Sequence, residues 1–262
     1  MTWIENLILS VVEGLTEFLP VSSTGHLMIT RELMGMSPSE HETYLIAIQF
    51  GAIASVLTLY WKRFFSKDAL WVYPILIMGF IPAAILGFLF DDLLEMMLKA
   101  PWIPGLTLVI FGIVLLYIEK IFPPGDKKIS DLKFVDAIKI GLFQCMAMIP
   151  GVSRSAATIA GGLQGRLTRA EATEFSFLLA LPTLAAAGGY KLLKHWEELQ
   201  QGSELVDIAI GNVISFITAY FAIKYFIGYI QRKGFAFFGY YRIAIGASIL
   251  ILYALGVPLS IN

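Results

Sequence analysis

Six long apolar runs, at roughly residues 44–61, 69–90, 101–118, 172–193, 205–230 and 236–256, constrain this chain more than anything else in it. Each approaches or exceeds the length of about 18–20 residues that a helix needs to cross the hydrocarbon of a bilayer. Lipid offers no hydrogen bonds to a backbone, so such runs must satisfy their own N–H and C=O groups and fold as helices. The expected fold is therefore an all-α integral membrane protein with about six spanning helices. Charge is sparse, 15% of residues, where soluble domains average about 25%. A net charge of −1 offers no basic surface to nucleic acid, and Cys145, the only cysteine, excludes an internal disulfide or a cysteine metal cluster. The N-terminus carries Glu5 and no basic stretch, so it does not read as a cleaved signal peptide.

Two polar clusters interrupt this apolar background: Glu13-Gly-Leu-Thr-Glu-Phe-Leu-Pro-Val-Ser-Ser-Thr-Gly-His26 and Pro150-Gly-Val-Ser-Arg-Ser-Ala-Ala-Thr158. Ionisable groups at membrane depth cost about 2.5–3.5 kcal/mol each on insertion scales and usually mark a working site. The clusters lie in broken segments, residues 2–30 and 134–160, interrupted by Pro20 and Pro150. Proline removes a backbone donor and breaks a helix, and irregular backbone at membrane depth survives only under a cover of protein or water. Both segments read as re-entrant helical hairpins, the alternative being ordinary kinked spanning helices.

Residues 130 apart match repeatedly: Pro20 with Pro150, Ser23 with Ser153, Leu33 with Leu163, Gly35 with Gly165, Thr43 with Thr173 and Tyr60 with Tyr190. Later, Gly112 resembles Gly246 with a small shift. This predicts two repeats, 1–124 and 125–262, divided at the polar connection Pro123–Lys128 and forming one compact membrane domain. Each repeat holds one hairpin and three spanning helices. Three crossings is an odd number, so the repeats must be inverted, an arrangement that puts a site at the midplane between them. Lys62, Arg63, Lys67, Lys120, Lys127, Lys128, Lys224, Arg232, Lys233 and Arg242 then fall on one side, and Lys99, Lys191 and Lys194 on the other. The first side is expected to be cytoplasmic and both termini external. Trp3, Trp61, Trp71, Trp102 and Trp196 lie near run ends, where interfacial anchors belong.

Glu13 and Glu17 are four apart and share a helix face. Two neighbouring carboxylates repel unless a proton or cation lies between them, and oxygen ligands suit Mg²⁺ or Ca²⁺. The plainer reading places one at a water interface and the other in a helix hydrogen bond. Ser22 and Thr24 follow a proline turn and are ordinary capping candidates. Ser23 has His26 three residues on as a candidate base, which makes it the candidate nucleophile. In the second cluster a helix starting near Ser153-Arg-Ser155 would present free N–H groups to an anion. Arg154 adds a planar fork matched to phosphate oxygens, and Ser153, Ser155 and Thr158 add hydroxyls. The competing role for Arg154 is a structural ion pair between the hairpins. Arg166, Arg169, Glu171 and Glu174 read as interfacial charges, Gln144 and Gln49 are ambiguous, and the aromatic run Phe235–Tyr241 reads as packing and lipid-facing surface.

The two clusters resemble the signature motifs of bacterial undecaprenyl-diphosphate phosphatases of the BacA/UppP type, linked to bacitracin resistance. Both motifs are long, and the resemblance covers the whole chain. It implies removal of the terminal phosphate of undecaprenyl diphosphate to regenerate the lipid carrier of cell-wall synthesis. It also implies a divalent cation, Mg²⁺ or Ca²⁺, and a site facing the outer side of the plasma membrane. Carried onto this chain, the metal pair becomes Glu13 and Glu17, the nucleophile or base pair Ser23 and His26, and the phosphate-binding motif Ser153, Arg154 and Thr158. Ser23 would then attack the terminal phosphorus with His26 or Glu17 taking its proton, and direct attack by water or by His26 stays open. The partners implied are undecaprenyl diphosphate and the bilayer, with no nucleic acid and a homodimer left open. The rival from another class is a polyprenyl-phosphate transporter or flippase, which inverted repeats favour on architecture alone.

Overall fold

The computed structural model describes residues 1–36, 41–65, 70–98, 100–194 and 204–257. Among them the regular structure is helical, with one isolated bridge between Lys127 and Leu167 and no strand. Six helices are long and apolar enough to cross a membrane: α3 (Glu42–Leu59), α5 (Val72–Leu89), α7 (Trp102–Ile121), α10 (Arg169–Lys194), α11 (Glu204–Lys233) and α12 (Ala236–Ala254). They coincide with the six expected runs to within a turn. Shorter helices complete the chain: α1 (Trp3–Thr16), α2 (Ser23–Leu33), α4 (Trp61–Phe65), α6 (Asp91–Leu98), α8 (Phe134–Met146) and α9 (Arg154–Gln164). The sequence reading did not anticipate α4 or α6. Of the residues named from sequence, Lys67, Lys99 and Trp196 lie outside the described set.

The broken segments are helix–turn–helix units: α1 and α2 meet at Pro20, and α8 and α9 at Pro150. Each runs a few residues past its expected end. α1 packs on α11, and α8 packs on α5. Long helices pair across the two halves, α7 with α12, α3 with α11 and α3 with α10. Small residues permit the closest of these approaches. A Cβ on Gly112 would lie 3.0 Å from Gly239 O, and one on Gly246 would lie 2.6 Å from Gly105 O. The crossing of α7 and α12 is therefore backbone against backbone, as small-residue seams allow in membranes. The outer surface is apolar, with Ile77, Ile85, Ile110, Ile217, Phe221 and Tyr225 exposed. Lipid, not water, is the solvent such a surface requires.

Gly51 forms a similar contact between α3 and α11, because an added Cβ would fall on the Asn212 backbone, 2.8 Å from its Cα. Nothing there is a movable side chain. Gly51→Ala is expected to destabilise by about 1–3 kcal/mol, the usual cost of overpacking, and to lower the melting temperature in detergent. An unchanged melting temperature would show that α3 and α11 can separate freely.

Candidate active site

The two proline turns face each other. Ser155 Oγ donates to Leu19 O across the hairpins at 2.8 Å. Arg242, wholly buried on α12, donates to Pro20 O at 3.1 Å and to Gly151 O and Val152 O at 2.8 and 2.9 Å. The sequence reading grouped Arg242 with the cytoplasmic surface charges. The structure corrects this: its fork binds three interior carbonyls. An arginine inside an apolar run was the signal available.

The turns share one backbone pattern. Ser22 (φ 71°) caps α2 by accepting from Gly25 N, and Ser153 (φ 74°) caps α9 by accepting from Ala156 N. Left-handed φ at a residue other than glycine costs about 1–3 kcal/mol and persists only where surroundings enforce it. At the far ends Met36 N donates to Arg31 O and Leu167 N to Gly162 O, both at 3.1 Å. Each of these pairs is 131 apart, not 130. The extra residue is Gly151, at φ 91° in the second turn. The sequence pairing of Ser23 with Ser153 therefore shifts by one. Ser22 corresponds to Ser153, and Ser23 corresponds to Arg154, the first residue of each helix.

A cavity of about 190 Å³ lies between the turns, walled by Glu17, Ser22, Ser23 and Thr24 from the first hairpin and Pro150, Gly151, Ser153 and Arg154 from the second. Gln49, Leu184, Leu94 and Leu98 complete much of the wall, the last two from α6. Both helix N-termini thus point free N–H groups toward one small space. Ser23 Oγ donates to Glu17 Oε2 at 2.7 Å. Arg154 Nη2 approaches Glu17 Oε1 at 3.4 Å while its Nη1 donates to Ser176 O at 3.0 Å. Phe18 lies under the guanidinium, 5.7 Å from ring centroid to Cζ. The 3.4 Å separation is long for a charge-assisted bond, which is usually 2.7–2.9 Å, and Arg154 Nε has no partner.

Glu13 is fully buried behind this wall, and neither of its oxygens has a hydrogen-bond partner. Its charged neighbours are Glu17 and Arg154. Two neighbouring carboxylates against one guanidinium call for either a proton or a cation between them, and their oxygen donors fit a hard cation. Among the described residues no three or more His, Cys, Asp or Glu side chains are grouped so that they could hold a metal ion by themselves.

The remaining expected residues are placed differently. His26 is absent from the cavity wall. Its Nδ1 pairs with Ser22 O at 2.8 Å, its Nε2 with Tyr241 Oη at 2.7 Å, and the two rings stack at 5.4 Å. Ser23 is thus bonded to Glu17, while both nitrogens of His26 are engaged elsewhere. Thr158 Oγ1 lies 2.8 Å from Arg154 O of its own helix and pairs with Ser176 Oγ at 2.7 Å, and Ser155 serves the Leu19 contact. These two hydroxyls brace the second hairpin, and of the four residues expected to bind phosphate only Ser153 and Arg154 line the cavity. Gln144 is buried against Thr183 and Gln49 lines the cavity. Glu174 pairs with Arg63, and Arg169 with Glu119, as cross-braces.

A family profile described as "Bacitracin resistance protein BacA" matches residues 6–248. The chain belongs to the BacA family. Among its BacA relatives, an "Undecaprenyl-diphosphatase" of Bdellovibrio bacteriovorus is 45% identical over 260 residues, covering 98% of each chain. One of Flavobacterium psychrophilum is 41% identical over 264 residues, covering both chains completely. One of Persephonella marina is 42% identical over 252 residues, covering 95% of this chain and 98% of the relative. Both polar clusters, residues 13–26 and 150–158, fall within the region matched by the BacA profile.

Proposed function

We propose that this BacA protein is an undecaprenyl-diphosphate phosphatase, hydrolysing undecaprenyl diphosphate to undecaprenyl phosphate and inorganic phosphate. The observation that carries the reading is the convergence of Ser23, Glu17 and Arg154, from separate hairpins, on one cavity wall. The names of its relatives give the substrate. In this reading Glu17 takes the Ser23 proton as Oγ attacks the terminal phosphorus. The bond to the bridging oxygen breaks, and that oxygen leaves on undecaprenyl phosphate. Glu17 hands its proton to the departing undecaprenyl phosphate and is a base again; it then deprotonates a water that attacks the serine-bound phosphorus, the P–Oγ bond breaks, and Ser23 Oγ recovers the proton as inorganic phosphate leaves. Arg154 and the N-termini of α2 and α9 stabilise charge on the transferring phosphoryl oxygens. Ser153 is a further donor at the wall. Ser155 and Thr158 hold the phosphate-binding turn in shape, and His26 braces Ser22.

Glu13 and Glu17 would hold a divalent cation, Mg²⁺ or Ca²⁺, which when bound supplies charge neutralisation between the carboxylates and the diphosphate. Chelation is then expected to abolish turnover and either ion to restore it. Glu13→Gln should raise the cation concentration for half-maximal activity by about 10-fold or more, as ligand-shell changes do. Activity indifferent to chelators would leave a shared proton as the occupant of the pair.

The same reading makes both hairpins re-entrant and the two halves, 1–124 and 125–262, inverted repeats. In support, Asn6 at the start of α1 bonds Asp207 at the start of α11, and Met36, beyond α2, packs near Leu9 and Tyr44. The second hairpin begins and ends at the other pole: Glu171 accepts from Ile129 N, and Arg166 Nη1 donates to Pro123 O. Lys62, Arg63, Lys120, Lys127, Lys128, Arg232 and Lys233 gather at that pole, which the positive-inside rule makes cytoplasmic. Leu94 and Leu98 border the cavity from the opposite pole. The site then opens to the outer, periplasmic side of the bacterial plasma membrane. The test is phosphate release from a polyprenyl diphosphate by purified protein with Mg²⁺ or Ca²⁺. No release by well-folded protein would defeat the assignment.

A further inference from the structure

The Arg242 side chain is completely enclosed, and none of the ion pairs among the described residues includes it. A buried guanidinium is costly unless its donors are used. Two of its three nitrogens are spent on backbone carbonyls, one in the first turn (Pro20) and two in the second (Gly151, Val152). Arg242 does not border the cavity, so it grips the two turns from behind the wall that Ser23 and Arg154 form. The preceding residue, Tyr241, bonds His26 Nε2, and His26 Nδ1 bonds Ser22 O. Two successive residues of α12 thus act on the turn that presents Ser23.

We propose that Arg242 is a positioning residue: its rigid fork sets the spacing between Ser23 and Glu17 of one hairpin and Arg154 of the other without touching substrate. The proposal rests on the phosphatase reading. A planar guanidinium can bind two backbones at once in fixed geometry, whereas a lysine ammonium is a single flexible point. A shift of about 1 Å in a reacting group is enough to cost 10²-fold in rate.

Arg242→Gln and Arg242→Lys are compared with wild-type protein and with Arg232→Gln, an exposed residue bonded to its own helix at Gly228 O. Melting temperature, folded fraction, kcat and KM for a polyprenyl diphosphate are measured in detergent. Turnover per folded molecule should fall about 10²-fold in Arg242→Gln, with KM within about threefold because substrate contacts remain. Arg242→Lys should remain at least about 10-fold impaired despite its charge, and Arg232→Gln should match wild type. Normal turnover per folded molecule in the Arg242 variants, or a rise in KM alone, overturns the proposal. If the glutamine variant does not fold, the lysine variant is read by the same criteria. Silent wild-type protein counts against the phosphatase reading, whereas active wild-type protein with unimpaired variants refutes the positioning role.

Discussion

Arg154→Lys is expected to lower kcat on a polyprenyl diphosphate by about 10²–10³-fold, the range seen when one preorganised donor to a developing oxyanion is lost. Arg154 divides its fork between Ser176 O and Glu17 and keeps Nε unpartnered beside the cavity. Lysine keeps the charge but cannot hold a backbone carbonyl, a carboxylate and a phosphoryl oxygen in one plane. It also gives up the flat face that lies over Phe18. The measurement is kcat and KM at saturating Mg²⁺, with melting temperature as the control for folding. Turnover within about threefold of wild type would make Arg154 a tie between the hairpins and nothing more.

The second large effect belongs to Ser23 and Glu17. Ser23→Ala and Glu17→Gln should each cost about 10³-fold or more in kcat, since nucleophile and base work as one unit. The double variant should then be little worse than either single one, as for other tightly coupled pairs. That non-additivity follows from the 2.7 Å bond between Ser23 Oγ and Glu17 Oε2. Multiplicative losses would separate the two roles. A mild effect of Ser23→Ala would transfer the attack to water, with Glu17 as its base. If His26 were the base instead, Glu17→Gln would leave the pH dependence of kcat/KM intact and His26→Gln would remove its acidic limb.

The six spanning helices were legible in the sequence because apolar length is a strong signal and lipid leaves the backbone few alternatives. The partners of individual polar groups were not legible. The sequence offers Ser23 two companions, His26 three residues on and Glu17 six residues back, and spacing cannot choose between them. In the folded chain α1 brings Glu17 to Ser23 across the proline turn, and α12 brings Tyr241 to His26. Those contacts join residues from different helices, which periodicity within one helix cannot show. Ser155 and Thr158 were legible as polar but not as turned inward, since direction depends on where α9 meets α1 and α10. The interval of 130 read from sequence is not the register of the folded hairpins beyond the turn: Gly151 lengthens the second turn by one residue, and the equivalent caps and helix ends lie 131 apart. Arg242 reads as a surface charge as long as arginines are sorted only by the side of the membrane their run-end places them on; its position inside the apolar run, nearly two turns into α12, is what marks it as buried.

The one-residue shift places a hydroxyl and a guanidinium at the same point of two matching folds of backbone, Ser23 opening α2 and Arg154 opening α9. A diphosphate is itself nearly symmetric, two phosphoryl groups about a bridging oxygen. Each group can therefore meet an equivalent array of peptide N–H donors, and the backbone alone cannot tell the terminal phosphorus from the lipid-bearing one. The choice of which bond breaks falls to the side chains in which the two turns differ: Ser23 with Glu17 behind it on one, and Arg154, with Ala147 in place of the carboxylate, on the other.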